Sequence, residues 1–491
     1  KVAEAAEKHG MTPQEWCDSQ APHFHELWEE LEISNDDFIR TTEPRQKRAV
    51  QYLWERMQEA GYIYKGSYDG WYCVPDETFF TETQVDKADE ARGTKGEHLC
   101  PDCDRPLERV KEESWFFKLS AFQDKLLALY DEHPDFVQPD FRMNEVRSFV
   151  EGGLNDLSVS RTSFDWGIEV PFDDEHVTYV WFDALTNYMT AVGYGAEDDE
   201  AAADFAYRWP AQTHIVGKDI IRFHCVIWPA MLMSLGLPLP KKVFGHGWLL
   251  LDGGKMSKSK GNVVDPYILA EKFGVDALRF FLMRTFPFGS DGNFSNELLI
   301  QTINTDLAND LGNLVSRTTA MVQKYFGGAL PAGCGATEEE KKLAAQAAGA
   351  ENIGMIFSGE GPEKFDGELI SMAVGLRGRY EQAMDAYAPH KALDEVFKVI
   401  QRANKYIDEN APWSLAKNME ANGPRLAHVM YNLLETTRIC GILLTPFMPE
   451  SMDKLFAQIG AGEAERTWEN ADLWGVLPET VAVVKGETLF P

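Results

Sequence analysis

Short apolar runs alternate with amphipathic segments between residues 176 and 251 of this chain. Three strands and two helices are predicted there, in the order strand 176–182, helix 184–192, strand 212–217, helix 220–235 and strand 242–251. Strands that alternate with helices imply right-handed crossovers, and such connections build a parallel sheet. The strand pattern fades after Asn296, and four segments then carry apolar residues at helical spacing: 298–324, 365–384, 390–410 and 422–443. The sequence therefore predicts an α/β domain followed by a helical bundle.

The balance of charges limits the classes of partner. The 491 residues include 78 acidic and 47 basic ones, a net charge of −31, which argues against a generally basic nucleic-acid binder. Any RNA must then bind at local basic and aromatic patches. Seven scattered cysteines, no signal-peptide pattern and no apolar run of about 18 residues predict a cytoplasmic protein without a membrane span. The first residues have the pattern of a helix interior, so we expect a further segment upstream.

Polar residues follow each predicted strand of the α/β domain. Trp181 to Asp183 come at the end of the first strand, and Gly217 to Asp219 follow the second. A loop rich in glycine, lysine and serine, residues 253–262, follows the third. Ligands of open α/β sheets bind beyond the carboxyl ends of the strands. We therefore expect these three segments to converge on one site.

The loop contains the string Lys255-Met256-Ser257-Lys258-Ser259. Its lysines offer mobile charges that suit phosphate oxygens, and its spacing is not that of a P-loop. A solvated basic turn would explain the composition of the loop but not the complete string. That string resembles the signature loop of class I aminoacyl-tRNA synthetases, and its surroundings resemble the methionyl-tRNA synthetases of the short bacterial or organellar type. The likeness extends over nearly the whole chain.

The resemblance implies a Rossmann-like catalytic domain with a parallel sheet, an inserted connective domain and an all-α bundle that binds the anticodon. The expected boundaries are 1–65 for the remainder of the first half of the catalytic domain, 66–157 for the connective domain, 158–245 for the second half of the catalytic domain, 246–295 for the lysine loop and stem-contact region, and 296–491 for the anticodon-binding domain. The second signature of the class, a His-x-Gly-His tetrapeptide, is absent from this sequence. We interpret the chain as lacking the N-terminal segment that carries it.

The resemblance also implies a methionine pocket built from two segments. Trp181, Leu185 and Tyr188 belong to the first, and Ile220 and His224 belong to the second. Leu185 and Tyr188 are three residues apart, and Ile220 and His224 are four apart, so each pair shares one helix face. Aromatic rings make favourable contacts with a thioether. From the residues alone, core aromatics and a structural histidine are the alternative.

For ATP, the resemblance assigns Gly217, Asp219 and Lys258, with Asp219 accepting from a ribose hydroxyl. Lys255, Lys258 and Arg161, together with Mg²⁺, are expected to stabilise negative charge on the phosphates. The implied reaction is attack of the methionine carboxylate on the α-phosphorus of ATP with release of pyrophosphate. The methionyl group then passes to the 3′ end of methionine tRNA. A surface ion pair is the alternative role of Arg161.

In the predicted bundle, Asn313, Arg317 and Trp413 match the anticodon readers of the family. Asn313 and Arg317 lie four apart on one helix face, and Trp413 begins a helix directly after Pro412. Unpaired RNA bases are read by aromatic stacking and by hydrogen bonds from such side chains. The expected partners are the initiator and elongator methionine tRNAs. Because no added dimerisation domain is recognisable, a monomer is expected.

Two short pairs of residues, Cys73 with Asp76 and Cys100 with Cys103, have the spacing of a zinc knuckle. Asp76 is a harder ligand than the thiolate it would replace, and it fits poorly among cysteines. A zinc site of three cysteines and one aspartate is one interpretation, and a metal-free knuckle is the other. We expect the second, with no zinc bound.

Two other functions stay open at this point. A non-catalytic tRNA-binding paralogue would keep the bundle and dispense with the His-x-Gly-His segment. A sister class I synthetase for leucine, isoleucine, valine or cysteine would share the lysine loop. The editing domain of the aliphatic-specific enzymes has no room in this chain, and a pocket with Trp181 and Tyr188 does not suit cysteine.

Overall fold

The computed structural model describes residues 2–73, 78–80, 82–94, 96–101, 104–162, 165–251, 254–255, 264–347 and 362–490. They form two compact units. The first comprises Lys1–Glu29 and Ile33–His246, and the second comprises Glu30–Glu32 and Gly247–Pro491. No helix within the described ranges combines the length and the apolar character that crossing a membrane requires.

The first unit mixes helices with short strands. Its α-helices are α1 (Val2–Lys8), α2 (Pro13–Glu30), α3 (Pro44–Glu59), α4 (Glu82–Arg92), α5 (Gln123–Glu132), α6 (Asp140–Glu151), α7 (Val180–Thr190), α8 (Asp199–Arg208) and α9 (Trp228–Ser234). Its strands are β1 (Ile63–Cys73), β2 (Thr78–Phe80), β3 (Glu108–Phe117), β4 (Val137–Gln138), β5 (Leu157–Ser158), β6 (Ser160–Arg161), β7 (Glu169–Val170), β8 (Asp173–Thr178), β9 (His214–Gly217) and β10 (Val243–His246).

Three sheets organise the described strands of this unit. β4, β10 and β9 form a parallel sheet in that order. Four other strands form an antiparallel sheet in the order β2-β1-β3-β5, and three form a smaller antiparallel sheet in the order β6-β8-β7. One hydrophobic core joins α3, α7, α9 and the parallel sheet, with Trp54, Phe182 and Trp228 fully buried. This is the Rossmann-like half of the predicted fold.

The prediction for the strand at 176–182 is wrong in two respects: the strand ends earlier, and it belongs to a different sheet. β8 ends at Thr178 and pairs antiparallel with β6 and β7, so it does not belong to the parallel sheet. α7 begins at Val180, and Trp181 therefore lies in a first helical turn rather than at a strand end. Apolar periodicity cannot distinguish these cases because it does not specify which strands pair with one another.

The strand predicted at 242–251 is also wrong, because it is two strands. β10 ends at His246, and β11 (Leu249–Leu251) belongs to a different sheet in the second unit. Between them, a Cβ at Gly247 would clash with the carbonyl oxygen of Ser290, so the turn requires glycine. The three polar segments therefore do not follow three strands of one parallel sheet.

The helix predicted at 220–235 is present but broken. A 3₁₀ turn spans Lys218–Ile220, a π turn spans Phe223–Ile227, and α9 begins at Trp228. Pro229 has no N–H for the carbonyl of Cys225, and that carbonyl instead accepts a hydrogen bond of 2.8 Å from Tyr130 Oη. The missing donor therefore explains the π turn that contains His224.

The second unit begins with a small sheet and continues as helices. β11 pairs antiparallel with β12 (Gly254–Lys255) and parallel with β13 (Gly292–Phe294). The helices are α10 (Pro266–Phe273), α11 (Val275–Thr285), α12 (Asn296–Thr302), α13 (Asn313–Phe326), α14 (Glu338–Ala347), α15 (Pro362–Val374), α16 (Leu376–Asp385), α17 (Pro389–Asn410), α18 (Pro412–Leu415), α19 (Met419–Leu444) and α20 (Pro449–Ile459). A π helix, Ile303–Gly312, connects α12 to α13.

α19 is the central helix of the predicted bundle. Every residue from Val429 to Leu444 is buried, which is the pattern of a helix packed on all sides. The pattern includes the ion pair of Glu435 with Arg438, whose Oε1 and Nη2 atoms lie 2.8 Å apart at 0% exposure. Glu435 also accepts from the backbone N–H groups of Gly475 and Val476, so its charge is compensated.

Candidate active site

α7 and the segment after β9 bring five predicted pocket residues into one part of the core. Trp181, Leu185 and Tyr188 lie one turn apart along α7, and Leu185 is fully buried. The indole of Trp181 stacks on Phe223, with ring centroids 4.0 Å apart and planes inclined by 12°. The same indole meets the ring of His224 edge-on at a centroid distance of 6.1 Å. The result is an aromatic surface beyond the carboxyl end of β9.

A hydrogen-bond chain fixes the imidazole of His224. Its Nδ1 lies 2.9 Å from the carbonyl oxygen of Ile220, and its Nε2 lies 2.7 Å from the hydroxyl of Tyr188. A carbonyl can only accept, so Nδ1 carries the hydrogen. Nε2 therefore accepts the hydroxyl hydrogen of Tyr188 in the neutral tautomer. Both ends of the imidazole are satisfied without a charge.

Burial keeps this chain neutral. It lowers the pKa of His224, and the hydrogen bond to Ile220 offsets only part of that effect. It also raises the pKa of Tyr188 to about 12. The surface beside Trp181 is therefore apolar and uncharged near neutral pH, which suits an uncharged side chain and disfavours a charged one.

His214, in β9, is a member of this site that the sequence reasoning missed. Its ring lies 4.2 Å from that of Tyr188, and its Nε2 accepts from Trp228 Nε1 at 3.2 Å. Burial, with a smaller effect of His224, lowers the pKa of His214 to about 3. His214 faces the core and its neighbour Ile215 is 55% exposed, because alternate strand residues face opposite sides.

Gly217 and Asp219 lie where the chain leaves β9. Gly217 is extended, and a Cβ there would lie 2.7 Å from Asp219 Oδ1, so a larger residue would displace that carboxylate. Asp219 is exposed and lies in the first turn that follows the strand. The carboxylate is thus close to the backbone at the carboxyl edge of the parallel sheet, where ligands of such sheets bind.

Arg161 lies in β6 and is only 3% exposed. Its Nη1 donates to the carbonyl oxygen of Ser160 at 2.6 Å and to Ser158 Oγ at 2.9 Å. Its guanidinium carbon lies 4.6 Å from the ring centroid of Tyr179, a cation–π geometry. These contacts hold the guanidinium in place at a buried position, and the expected role of Arg161 at the phosphates stays a prediction.

A second buried pair connects α3 to α7. Gln46 Nε2 donates to the carboxylate of Asp183 at 2.7 Å and to its carbonyl oxygen at 2.8 Å. Burial raises the pKa of Asp183 to about 6, and the hydrogen bond from Gln46 offsets part of that effect. Sequence reasoning missed this pair because its members lie 137 residues apart.

The lysine loop lies mostly outside the described residues. Lys255 is the second residue of β12, where its backbone pairs with Leu250. Nothing is described of its side chain, and Lys258 lies outside the described ranges. The roles expected of these two lysines therefore stay predictions.

The candidate zinc knuckle is described in part. Cys73 and Cys100 are fully buried in a small cluster with Phe80, Val85 and Leu107. Asp76 and Cys103 lie outside the described residues. The metal-free knuckle stays a prediction.

Among the described residues, Glu340, Asp366 and His428 also lie close enough to hold a cation. His428 Nε2 lies 2.9 Å from Glu340 Oε1, and its Nδ1 lies 3.1 Å from the carbonyl oxygen of Cys334. Both of these partners are acceptors, and the amide nitrogen Nδ2 of Asn432 also lies 3.2 Å from Nε2. Burial opposes the charge, but Glu340 outweighs it and raises the pKa of His428. Arg425 pairs with Asp366, and His428 pairs with Glu340, so each carboxylate has a basic partner among the described residues.

The three predicted anticodon readers lie in the second unit. Asn313 begins α13 and is exposed, and Arg317 follows one turn later. Arg317 Nη2 lies 2.9 Å from Asp408 Oδ1 near the end of α17. Trp413 follows five residues after Asp408 and is 47% exposed. Arg317 of α13 thus contacts the C-terminal end of α17, just before the turn that carries Trp413.

Two family models match this chain. The model of class I tRNA synthetases (M) matches residues 1–319, and that of the anticodon binding domain of methionyl tRNA ligase matches residues 361–491. A Rossmann-like unit with the matched catalytic sequence, followed by a helical bundle, defines a class I aminoacyl-tRNA synthetase.

The comparisons with individual proteins give the family within that class. The chain is 52% identical over 491 residues to the methionine–tRNA ligase of Caldanaerobacter subterraneus subsp. tengcongensis, and 47% identical over 496 residues to that of Bacillus subtilis. Each alignment covers 100% of this chain and 70% of the relative. Methionyl-tRNA synthetase of Mycobacterium tuberculosis bound by methionyl-adenylate superposes with a TM-score of 0.87 at 42% identity, covering 100% of this chain and 90% of that one. The chain therefore belongs to the methionyl-tRNA synthetase family.

Proposed function

We propose that this chain activates methionine with ATP and transfers the methionyl group to the 3′ end of methionine tRNA. The observation that carries the proposal is the neutral aromatic surface of Trp181, Tyr188 and His224 beyond the carboxyl end of β9. Membership of the family and the match of its anticodon-binding domain support both the reaction and the tRNA partner.

The pocket disfavours charged side chains and offers aromatic surfaces that suit methionine. Trp181 and Tyr188 offer ring surfaces to a thioether, which is polarisable and makes favourable contacts with aromatic rings. Both ring nitrogens of His224 are hydrogen-bonded within the protein, and the neutral ring presents no charge to a ligand. A lysine or glutamate side chain would lose its hydration there without compensation.

ATP binds through Gly217, Asp219 and the lysine loop in this proposal. The backbone at Gly217 approaches the nucleotide, and Asp219 accepts from a ribose hydroxyl. Lys255, Lys258 and Arg161 stabilise charge on the phosphates while the methionine carboxylate attacks the α-phosphorus in line. No side-chain nucleophile is required. A Mg²⁺ ion that accompanies the ATP stays a prediction.

The tRNA binds in part through the anticodon readers. Trp413 stacks on an unpaired base, Asn313 donates or accepts hydrogen bonds at base edges, and Arg317 donates them. The net charge of −31 opposes RNA elsewhere on the protein, so binding depends on these local contacts and weakens with salt. Initiator and elongator tRNAs share the anticodon and are both substrates. The monomeric state and the cytoplasmic location stay predictions.

Pyrophosphate exchange with a panel of amino acids tests the activation step in the full-length protein. Methionine is expected to support exchange, whereas leucine, isoleucine, valine and cysteine are not. The variant Lys258→Ala should slow exchange at least about a hundredfold, the scale of losing one transition-state charge contact. Exchange that prefers another amino acid would identify a sister synthetase. No exchange, together with tight tRNA binding, would identify a non-catalytic paralogue.

A further inference from the structure

The turn that carries Trp413 has an unusual backbone. Ala411 ends α17 and begins α18 with φ of 42° and ψ of 63°, a left-handed conformation in a residue other than glycine. Its carbonyl oxygen accepts from Ser414 N at 2.7 Å, which closes the turn. Pro412 is buried within the turn, and Trp413 projects outward at 47% exposure. The direction of the indole therefore depends on this backbone.

A left-handed alanine is unfavourable by itself, so the surroundings must hold it. The preceding residue, Asn410, is tied at both ends of its side chain. Its Nδ2 donates to the carbonyl oxygen of Tyr406 at 3.0 Å, and its Oδ1 accepts from Arg425 Nη2 at 2.6 Å. These two bonds fix the last turn of α17 where Ala411 departs from helical geometry.

Arg425 is itself anchored in the core of the bundle. Its Nη2 donates to Asp366 Oδ1 at 2.8 Å, and its Nη1 donates to Asp366 Oδ2. Tyr406, which is fully buried, donates its hydroxyl to the same carboxylate. A guanidinium whose side chain is 26% exposed and which pairs with both oxygens of a buried carboxylate has little freedom. Asn410 is therefore bonded to a guanidinium that is itself held in place by Asp366.

We propose that Asn410, held by Arg425, is a positioning residue that sets the direction of Trp413 for stacking on a base of the anticodon. The inference rests on the proposed role of Trp413 as an anticodon reader. A ring that is already oriented loses less conformational freedom when a base stacks on it, so the tRNA binds more tightly. Arg425 acts through Asn410 and needs no contact with the tRNA.

The variant Asn410→Ala isolates this link. It removes both bonds to the turn and leaves the pair of Arg425 with Asp366 in place. Asn410→Asp keeps the acceptor for Arg425 and gives up the donor to the carbonyl oxygen of Tyr406, so it tests whether the bond to Arg425 alone sets the turn. Asn418→Ala is the matched control, because Asn418 Oδ1 caps α19 by accepting from Ala421 N at 3.1 Å. That control lowers the stability of the same bundle without touching the turn.

The test measures the KM for methionine tRNA in aminoacylation and the rate of methionine-dependent pyrophosphate exchange in the full-length protein. Asn410→Ala should raise the KM for tRNA about tenfold. That change corresponds to a large part of the binding free energy of one base–aromatic stack. Pyrophosphate exchange should stay unchanged. Asn410→Asp and Asn418→Ala should each stay within about twofold of the parent KM, below the scale of one stacking contact.

The same measurement in a Trp413→Ala background separates positioning from a merely structural role. If Asn410 acts through Trp413, Asn410→Ala should cause no further rise in the KM for tRNA there. An equal effect in both backgrounds, or no effect in the parent, overturns the positioning role. If Trp413→Ala alone leaves the KM unchanged, the anticodon role fails and the positioning role fails with it. That result differs from failure of positioning alone, in which Trp413→Ala impairs charging and Asn410→Ala does not.

Discussion

Replacing Tyr188 with phenylalanine removes one hydroxyl from a site that is otherwise packed. The hydroxyl donates to His224 Nε2 at 2.7 Å, and His224 is only 1% exposed. Its other nitrogen keeps the bond to Ile220, so the ring cannot turn to find a new partner without losing that one. The change therefore leaves a buried acceptor unpaired. We expect the free energy of unfolding to fall by about 2 kcal/mol, within the usual range for an unpaired buried polar group.

Denaturation in guanidinium chloride, followed by tryptophan fluorescence, measures the change in the free energy of unfolding. The measurement is repeated with saturating methionine, which should stabilise the parent in proportion to its affinity. If Tyr188 belongs to the pocket, the variant should gain less stability from methionine than the parent does.

Tyr194→Phe is the matched control for this prediction. Tyr194 is a tyrosine of the same unit whose ring packs against Tyr52 and Phe205. Its hydroxyl is not bonded to a described residue, so the change should alter the free energy of unfolding by less than about 0.5 kcal/mol. Equal losses in the two variants, or no loss in Tyr188→Phe, would refute the reasoning about His224.

Three further predictions concern charges and backbone conformation. The folded pKa of Asp183, about 6, lies above its value of about 3.9 in an unfolded chain, so its contribution to stability is lost as pH rises through about 6. Asp183→Asn keeps the acceptor for Gln46 and should gain up to about 3 kcal/mol relative to the parent between pH values of about 4 and 7, measured by denaturation at each pH. Ala411→Gly should raise the free energy of unfolding by roughly 0.5–1 kcal/mol because glycine accepts positive φ, whereas Ala403→Gly inside α17 should lower it; thermal unfolding checks both. The pKa of His428 is raised in the folded state, so the advantage of the parent over His428→Gln should be complete below a pH of about 6.5 and should disappear as pH rises through the folded pKa. A constant difference across that range would contradict it.

The bundle was the most predictable part of the fold. The segment predicted at 390–410 is α17 (Pro389–Asn410), and that predicted at 422–443 lies within α19 (Met419–Leu444). Apolar residues at helical spacing depend only on neighbours three and four positions away, so such helices can be read from the sequence. The break at Gly375 between α15 and α16 was not predicted, since glycine is tolerated within many helices.

The candidate site was likewise predictable only in part. The segments around Trp181 and His224 were recognisable because they resemble the corresponding segments of the family. Their bonding was not, because the hydroxyl of Tyr188 meets His224 across 36 residues. His214 was missed because a single histidine in a strand gives no sign of what its ring will contact.

The amino-acid sequence alone determined the class of fold, the family and the segments that carry the chemistry, since these follow from local periodicity and short motifs. Only the tertiary structure decided that β8 pairs antiparallel, that Gly247 separates two strands and that the carbonyl of Cys225 bonds to Tyr130. It also decided that Asn410 is tied to Arg425. Each of these depends on which groups meet in the folded chain, and a backbone or side-chain group gives no local signal of the group that it will meet.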